Sequence, residues 1–197
     1  MKTAYKAVII LCILIILSVL SFLVIYFHKP AVSTSSNRGS LHAPQPALKV
    51  SAPQIVSGNP SFLSIPSLNK SLSIIPGTED SKTGAWTLTW DKVQYATISP
   101  EPNNHEGNTL IYGHETSSIF TYLYRLRPGD TASVTTDNGY IFHYTYEGTY
   151  AVNPHDWSVF NYKGAPILTL QTCSGVFFQN RQMYQFSLSG FDKIKQS

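Results

Sequence analysis

The chain has 197 residues, room for one domain and an N-terminal addition. Its formal charge of +3 is unevenly placed, because Lys2, Lys6, Lys29, Arg38 and Lys49 all precede the 11 acidic residues, which run from Glu79 to Asp192. The C-terminal part is therefore weakly acidic and carries no basic stripe, which excludes a nucleic-acid binder.

Ala7 to Phe27 contains no charged residue and is dominated by Ile, Leu and Val. About 20 apolar residues span a bilayer as a helix, whereas the apolar part of a cleaved signal peptide is usually only about 7–15 residues long. We read 7–27 as an uncleaved signal anchor, with Ala31-Val32-Ser33 as a weak cleavage alternative. Lys2 and Lys6 before the span, against Lys29 after it, place residues 1–6 in the cytoplasm and export the rest. The expectation is a single-pass protein of the cell membrane with its globular domain outside. Residues 28–59, rich in Ser, Ala and Pro, read as a linker, and 60–197 as the folded domain.

Within that domain short apolar runs recur between turn-forming residues: Phe62–Ile65, Leu72–Ile75, Trp86–Trp90, Thr109–Tyr112, Thr131–Thr135, Tyr140–Tyr150, Pro166–Thr172 and Gln182–Ser189. Several alternate with period two, as in Tyr140–Tyr146 after the Asp137-Asn138-Gly139 turn. One helix is expected over about Ser117–Leu126, where Ile119, Phe120, Leu123 and Leu126 make one apolar face before Pro128-Gly129. The pattern predicts an all-β domain, a closed barrel or a sandwich, with one or two short helices.

Cys12 lies in the anchor, so Cys173 has no partner within the exported domain. A free thiol is hard to keep in an oxidising compartment, and Cys173 reads as retained for its sulfur chemistry. A reactive thiolate needs a nearby cation or base. Four histidines are candidates. His114 follows the apolar run Thr109–Tyr112 at a glycine, where a rigid strand end presents a side chain to a cleft. His143 sits within an aromatic strand and reads as a strand-packing or surface residue, while His105 lies in a polar loop. His155, beside Asp156, is either a surface residue or part of a groove. Arg181, eight residues after Cys173, offers a cation.

These residues carry a resemblance. Gly107-Asn-Thr-Leu-Ile-Tyr-Gly-His114, with Phe120, Leu123 and Gly129-Asp130, resembles the histidine segment of sortases. Thr169-Leu-Gln-Thr-Cys173 is similar to their Thr-Leu-x-Thr-Cys signature, Arg181 matches their downstream arginine, and Leu63–Asn69 resembles their first strand. The resemblance implies an eight-stranded β-barrel and a membrane-anchored cysteine transpeptidase of a Gram-positive-type bacterium. It implies partners of two kinds: surface proteins bearing a C-terminal sorting signal such as Leu-Pro-x-Thr-Gly, and an amine acceptor, either a peptidoglycan precursor or a pilin lysine. By position, Cys173 is then the nucleophile, His114 the proton carrier and Arg181 the group holding the substrate backbone or oxyanion. Thr172 is an additional oxyanion donor, and the loop Val152–Ala165, with Trp157 and Phe160, either shapes the signal groove or closes the barrel locally. Ser174–Phe178 is expected as a wall beside the cysteine.

No cofactor or metal is expected, since Glu79, Asp80 and Glu101 make no recognisable oxygen-ligand set. Two readings stay open beside the transpeptidase: a cysteine peptidase or amidase that hydrolyses the same thioacyl intermediate, and a non-catalytic, membrane-anchored β-barrel binding module. Cell-wall transpeptidases with a Ser-His-Gly-Cys arrangement fit poorly, because His114 lies far upstream of Cys173. A thiol oxidoreductase would need a Cys-x-x-Cys pair.

Overall fold

Eight strands whose inward residues are apolar close into one barrel. The structure is a computed structural model and describes residues 54–83, 85–174 and 179–195. The expected membrane span, nearly all of the linker and the Gly175–Phe178 part of the expected wall lie outside the described residues. The strands are β1 (Pro60–Ile65), β2 (Lys70–Gly77), β3 (Val93–Ala96), β4 (Asn108–Tyr112), β5 (Thr131–Thr136), β6 (Tyr140–Val152), β7 (Ile167–Ser174) and β8 (Asn180–Lys193). Around the barrel they run β1-β2-β3-β4-β7-β8-β6-β5, with β5 pairing back onto β1.

Period-two patterning decides which residues point inward. Leu63 and Ile65 of β1, Leu72 and Ile74 of β2, Phe142, Tyr144 and Tyr146 of β6, Leu168 and Leu170 of β7, and Tyr184 and Phe186 of β8 all join one buried core. β4 differs, because all five of its residues are buried. It lies between β3 and β7 and is covered on its outer face, where Leu110 and Tyr112 pack with Val159, Trp86 and Phe160.

Two neighbouring pairs, β2–β3 and β4–β7, are parallel; the others are antiparallel. A parallel pair cannot be joined by a tight hairpin and needs a crossover connection of about a dozen or more residues. Residues 78–92 supply that connection for β2–β3, and this topological necessity places two tryptophans outside the barrel wall.

Seven of the eight expected runs fall on strands. The exception is Trp86–Trp90, which belongs to the crossover: Trp86 makes one isolated bridge to Glu79, and the strand follows at Val93–Ala96. That strand is four residues long and buried throughout, so it shows no alternation. The helix expected over Ser117–Leu126 is a 3-10 helix at Thr121–Arg125. Its apolar face is nonetheless used as expected, since Ile119, Phe120, Leu123 and Leu126 are all buried. The packed chain also begins before Pro60. Val56 is buried, its N–H donates to Asn104 Oδ1 at 2.8 Å, and the Gly58 N–H donates to the Pro102 carbonyl at 3.3 Å.

Candidate active site

β7 brings Cys173 to the end of a strand held on both sides. Toward β8 the register is antiparallel, and Cys173 pairs with Arg181. Directly opposed residues in such a pair have Cα atoms about 4.5–5.5 Å apart and point to the same face. Toward β4 the register is parallel, with Tyr112 opposite Gln171 and the Gly113 N–H donating to the Gln171 carbonyl at 3.1 Å. His114 lies two residues beyond Tyr112, as Cys173 lies two beyond Gln171. Period two therefore puts Tyr112, Gln171, Cys173 and Arg181 on the outer face of three adjacent strands, with His114 just beyond the end of β4.

Gly113 lets the chain pass close against the core as it leaves β4. A Cβ there would stand 2.8 Å from the Ile119 Cγ2 and 3.3 Å from the Val93 Cγ1. The His114 carbonyl then accepts from the Phe120 N–H at 3.3 Å, so the histidine backbone is tied to the barrel before it and to the 3-10 segment after it. The Cys173 thiol is free and partly exposed. Among the described residues no hydrogen bond or ion pair joins it to His114. The Arg181 Nη1 donates to the Asn180 carbonyl at 3.3 Å, the side chain lying partly exposed along the end of β8.

The thiol opens into a groove of about 250 Å³ lined by Ala85, Trp86 and Leu88 on one side and by Tyr112, Gln171, Thr172, Cys173 and Arg181 on the other. Trp86, Tyr112, Gln171 and Arg181 continue into a second cavity of about 180 Å³, bounded by Trp157, Phe160, His155, Asp156 and Glu79. The two cavities make one channel that runs past the sulfur. Its walls are the crossover 78–92 and the loop after β6, two segments that the barrel does not need for its own core.

Trp86 joins those walls. Its ring stacks on Phe160 at 6.0 Å and 6°, meets Tyr112 edge-on at 5.3 Å and 78°, and lies 6.2 Å from Trp157. In the loop after β6, Phe160 packs locally against Trp86, and Trp157, 44% exposed, leaves apolar area facing the cavity. Two Asx turns stiffen the walls. Asp80 accepts from the Lys82 and Thr83 N–H groups, which hold its carboxyl below the usual range. The Ser158 hydroxyl and N–H do the same for Asp156. Burial pushes the Tyr112 phenol up from its ordinary value, and its hydroxyl lies 3.3 Å from Thr87 Oγ1 on the crossover.

Thr172 borders the groove but is only 4% exposed, and its hydroxyl has no hydrogen-bond partner among the described residues. Among the described residues no three His, Cys, Asp or Glu side chains gather as a metal site.

A family model described as the sortase domain matches residues 63–185, which takes in all or part of every strand and includes His114, Cys173 and Arg181. The chain belongs to the sortase family. As a family, sortases are cysteine transpeptidases on an eight-stranded barrel, and the strand count and closure found here agree with that fold. No match was found among curated protein sequences. Among solved structures, sortase C-3 from Streptococcus pneumoniae is 21% identical with a TM-score of 0.55, over 70% of this chain and 65% of that one. The chain thus spans about two thirds of the pneumococcal structure. Sortase E1 from Streptomyces coelicolor is 22% identical with a TM-score of 0.54, over 69% of this chain and 91% of that one. The sortase SrtA from Actinomyces oris is 18% identical with a TM-score of 0.57, over 73% and 89%. At these identities the likeness is one of fold. It spans several sortase classes and selects none.

Among the described residues, the other histidines lie away from this sortase's groove or at its margin. His143 faces solvent with its Nε2 3.0 Å from Asp192 Oδ2, and His105 is exposed in its loop. His155 is exposed and also lines the second cavity. Sequence reasoning missed Trp86, Trp90, Tyr112 and Gln171. The Trp-Thr-Leu-Thr-Trp alternation of residues 86–90 reads as a strand, and nothing in it places the two tryptophans on a crossover outside the barrel.

Proposed function

We propose that this sortase is a membrane-anchored transpeptidase that cuts a Leu-Pro-x-Thr-Gly-like signal and passes the acyl group to an amine. The observation that carries this is the convergence of Cys173, Arg181 and the His114 backbone at three adjacent strand ends, beside the channel walled by Trp86. In the proposed reaction the Cys173 thiolate attacks the Thr carbonyl carbon of the signal. Negative charge develops on the carbonyl oxygen, and in this reading the planar guanidinium of Arg181 and the Thr172 hydroxyl donate to it. The C–N bond breaks as His114 gives its proton to the leaving Gly nitrogen, and a thioester remains on Cys173. An incoming amine loses a proton to His114, attacks the thioester carbonyl and releases the thiolate. The Trp157–Phe160 cavity, rimmed by Trp86, takes the apolar Leu-Pro portion.

The acceptor is a cell-wall cross-bridge amine or a pilin lysine, presented outside the membrane. The test incubates the full chain in detergent micelles with a library of five-residue signals and several amines, reading product masses. Transfer products support the reading, hydrolysis products alone favour the peptidase, and no product at all favours a binding module. Turnover by Cys173→Ala would reject the nucleophile assignment.

A further inference from the structure

The backbone of His114 is fixed from both sides, yet its ring makes no hydrogen bond among the described residues. What it does meet is the Trp90 indole, with ring centroids 4.2 Å apart and planes within 12°. Trp90 is 73% exposed, so burial of its own surface does not explain why an indole sits there. Nor is it placed by chance of a loose loop. Next to it, Thr89 Oγ1 accepts from the Gln94 Nε2 at 2.7 Å, and Gln94 is a fully buried residue of β3. Thr89 Oγ1 also donates to the Lys92 carbonyl at 3.2 Å. The Trp90 carbonyl accepts from the Ser118 hydroxyl at 3.4 Å, and Ser118 belongs to the loop that follows His114. The crossover is thus pinned to the barrel next to Trp90 and to the histidine loop at the Trp90 backbone carbonyl.

From this geometry we infer that Trp90 is a positioning residue for His114, and the inference rests on the proton-carrier role proposed above. An imidazole with no hydrogen-bonded nitrogen keeps its side-chain torsional freedom, and ordering it at the moment of proton transfer costs rate. A flat ring held face-on by another flat ring keeps only its edges available, and both ring nitrogens lie on edges. The indole acts through the histidine; it takes no part in bond making or breaking.

The experiment uses the full chain in detergent micelles and a fluorogenic peptide carrying a Leu-Pro-x-Thr-Gly signal, with Trp90→Ala, Trp90→Leu, Trp90→Phe and His114→Ala. Trp90→Ala should lower kcat by about tenfold or more, the scale of a small misplacement of a reacting group, with KM within about twofold. Trp90→Phe, which restores a flat ring, should recover most of the loss, whereas Trp90→Leu, apolar but not flat, should not. In NMR spectra the upfield ring-current shift of the His114 ring protons should vanish in the Ala and Leu variants. Wild-type or increased kcat in Trp90→Ala, a change confined to KM, or equal rescue by Leu and Phe would each overturn the inference. The two readings fail separately. Wild-type turnover in His114→Ala removes the proton-carrier role itself, while an inactive His114→Ala beside a fully active Trp90→Ala removes only the role of Trp90. The exposure of Trp90 makes misfolding of these variants an unneeded explanation, and thermal melts at the wild-type midpoint would confirm it.

Discussion

Cys173 and Arg181 face each other directly across the antiparallel pair β7–β8. Strand register therefore sets the Arg181 backbone opposite the Cys173 backbone. A register slip of one residue would turn Arg181 to the opposite face of the sheet.

That relationship predicts the behaviour of two Arg181 variants. Lysine keeps the charge but replaces the donor fork by a point charge on a flexible stem. Arg181→Lys should lower kcat/KM by about 10²-fold and Arg181→Ala by more, on the scale of removing one oxyanion donor. Both should melt as the wild type does, because the side chain is outside the core. Peptide cleavage assays and thermal melts check the pair, and near-wild-type rates in Arg181→Lys would reject the fork.

Trp86→Ala tests the channel wall. Trp86 is half-buried and touches Tyr112, Trp157 and Phe160, so its loss should reduce stability by about 1–3 kcal/mol, less than a full core truncation. The crossover and the loop after β6 would lose their common contact. KM for a signal peptide should rise several-fold while kcat falls less. Denaturant titration and steady-state kinetics on one preparation separate the two effects; an unchanged KM would remove Trp86 from the substrate wall.

Much of this fold was legible because the barrel alternates. Leu63, Ile65, Leu72 and Ile74 declare their faces, and the Asp137-Asn138-Gly139 turn declares the β5–β6 hairpin. β3 was not legible, since Val93–Ala96 is short, buried throughout and offers no period. The helix at Ser117–Leu126 had the right apolar face and the wrong geometry: the chain must turn sharply after His114, and 3-10 turns at Thr121–Arg125 accomplish this in fewer residues. The catalytic candidates were readable because each lies at or just beyond the end of a strand. Trp86 and Trp90 were not, because their partners Phe160 and His114 are distant in sequence and meet them only once the parallel β2–β3 pair forces the crossover outside the barrel.

Alkali should unfold the domain through its buried tyrosines. Burial, helped by the Glu101 charge, pushes the Tyr95 phenol from 10.0 up to about 12 against a smaller lowering from the Ser99 side chain, and the phenol O–H donates to the Ser99 carbonyl. Burial also pushes Tyr184 up to about 12, with Tyr146 and Glu115 adding to it. Both groups hold their protons longer in the folded state than in the unfolded one. The sign follows: their contribution is fully present below about pH 10 and is lost as pH rises through about 12. Circular dichroism and tyrosinate absorbance should change together in that window. Tyr95→Phe should flatten the alkaline loss and lower neutral-pH stability by about 1 kcal/mol for the missing hydrogen bond. Tyrosinate absorbance that rises fully while the fold persists would contradict this account.

Thr172 offers a test in which stability and activity should move in opposite directions. Its hydroxyl is buried without a partner among the described residues, beside the cysteine and at the edge of the groove. A buried, unsatisfied hydroxyl destabilises a fold by about 1–3 kcal/mol. Valine has nearly the same shape and no polar atom, so Thr172→Val should raise the melting temperature or leave it unchanged. If the hydroxyl is kept for the oxyanion of the substrate, the same variant should slow acylation of Cys173 by about 10–10²-fold, within the range for oxyanion donors or below it. Thr172→Ser keeps the donor and should retain most of the rate while losing some stability with the methyl group. Single-turnover acylation measured by intact mass, beside thermal melts, reads both quantities. A valine variant that is more stable and equally fast would show an unpaired hydroxyl with no part in the chemistry.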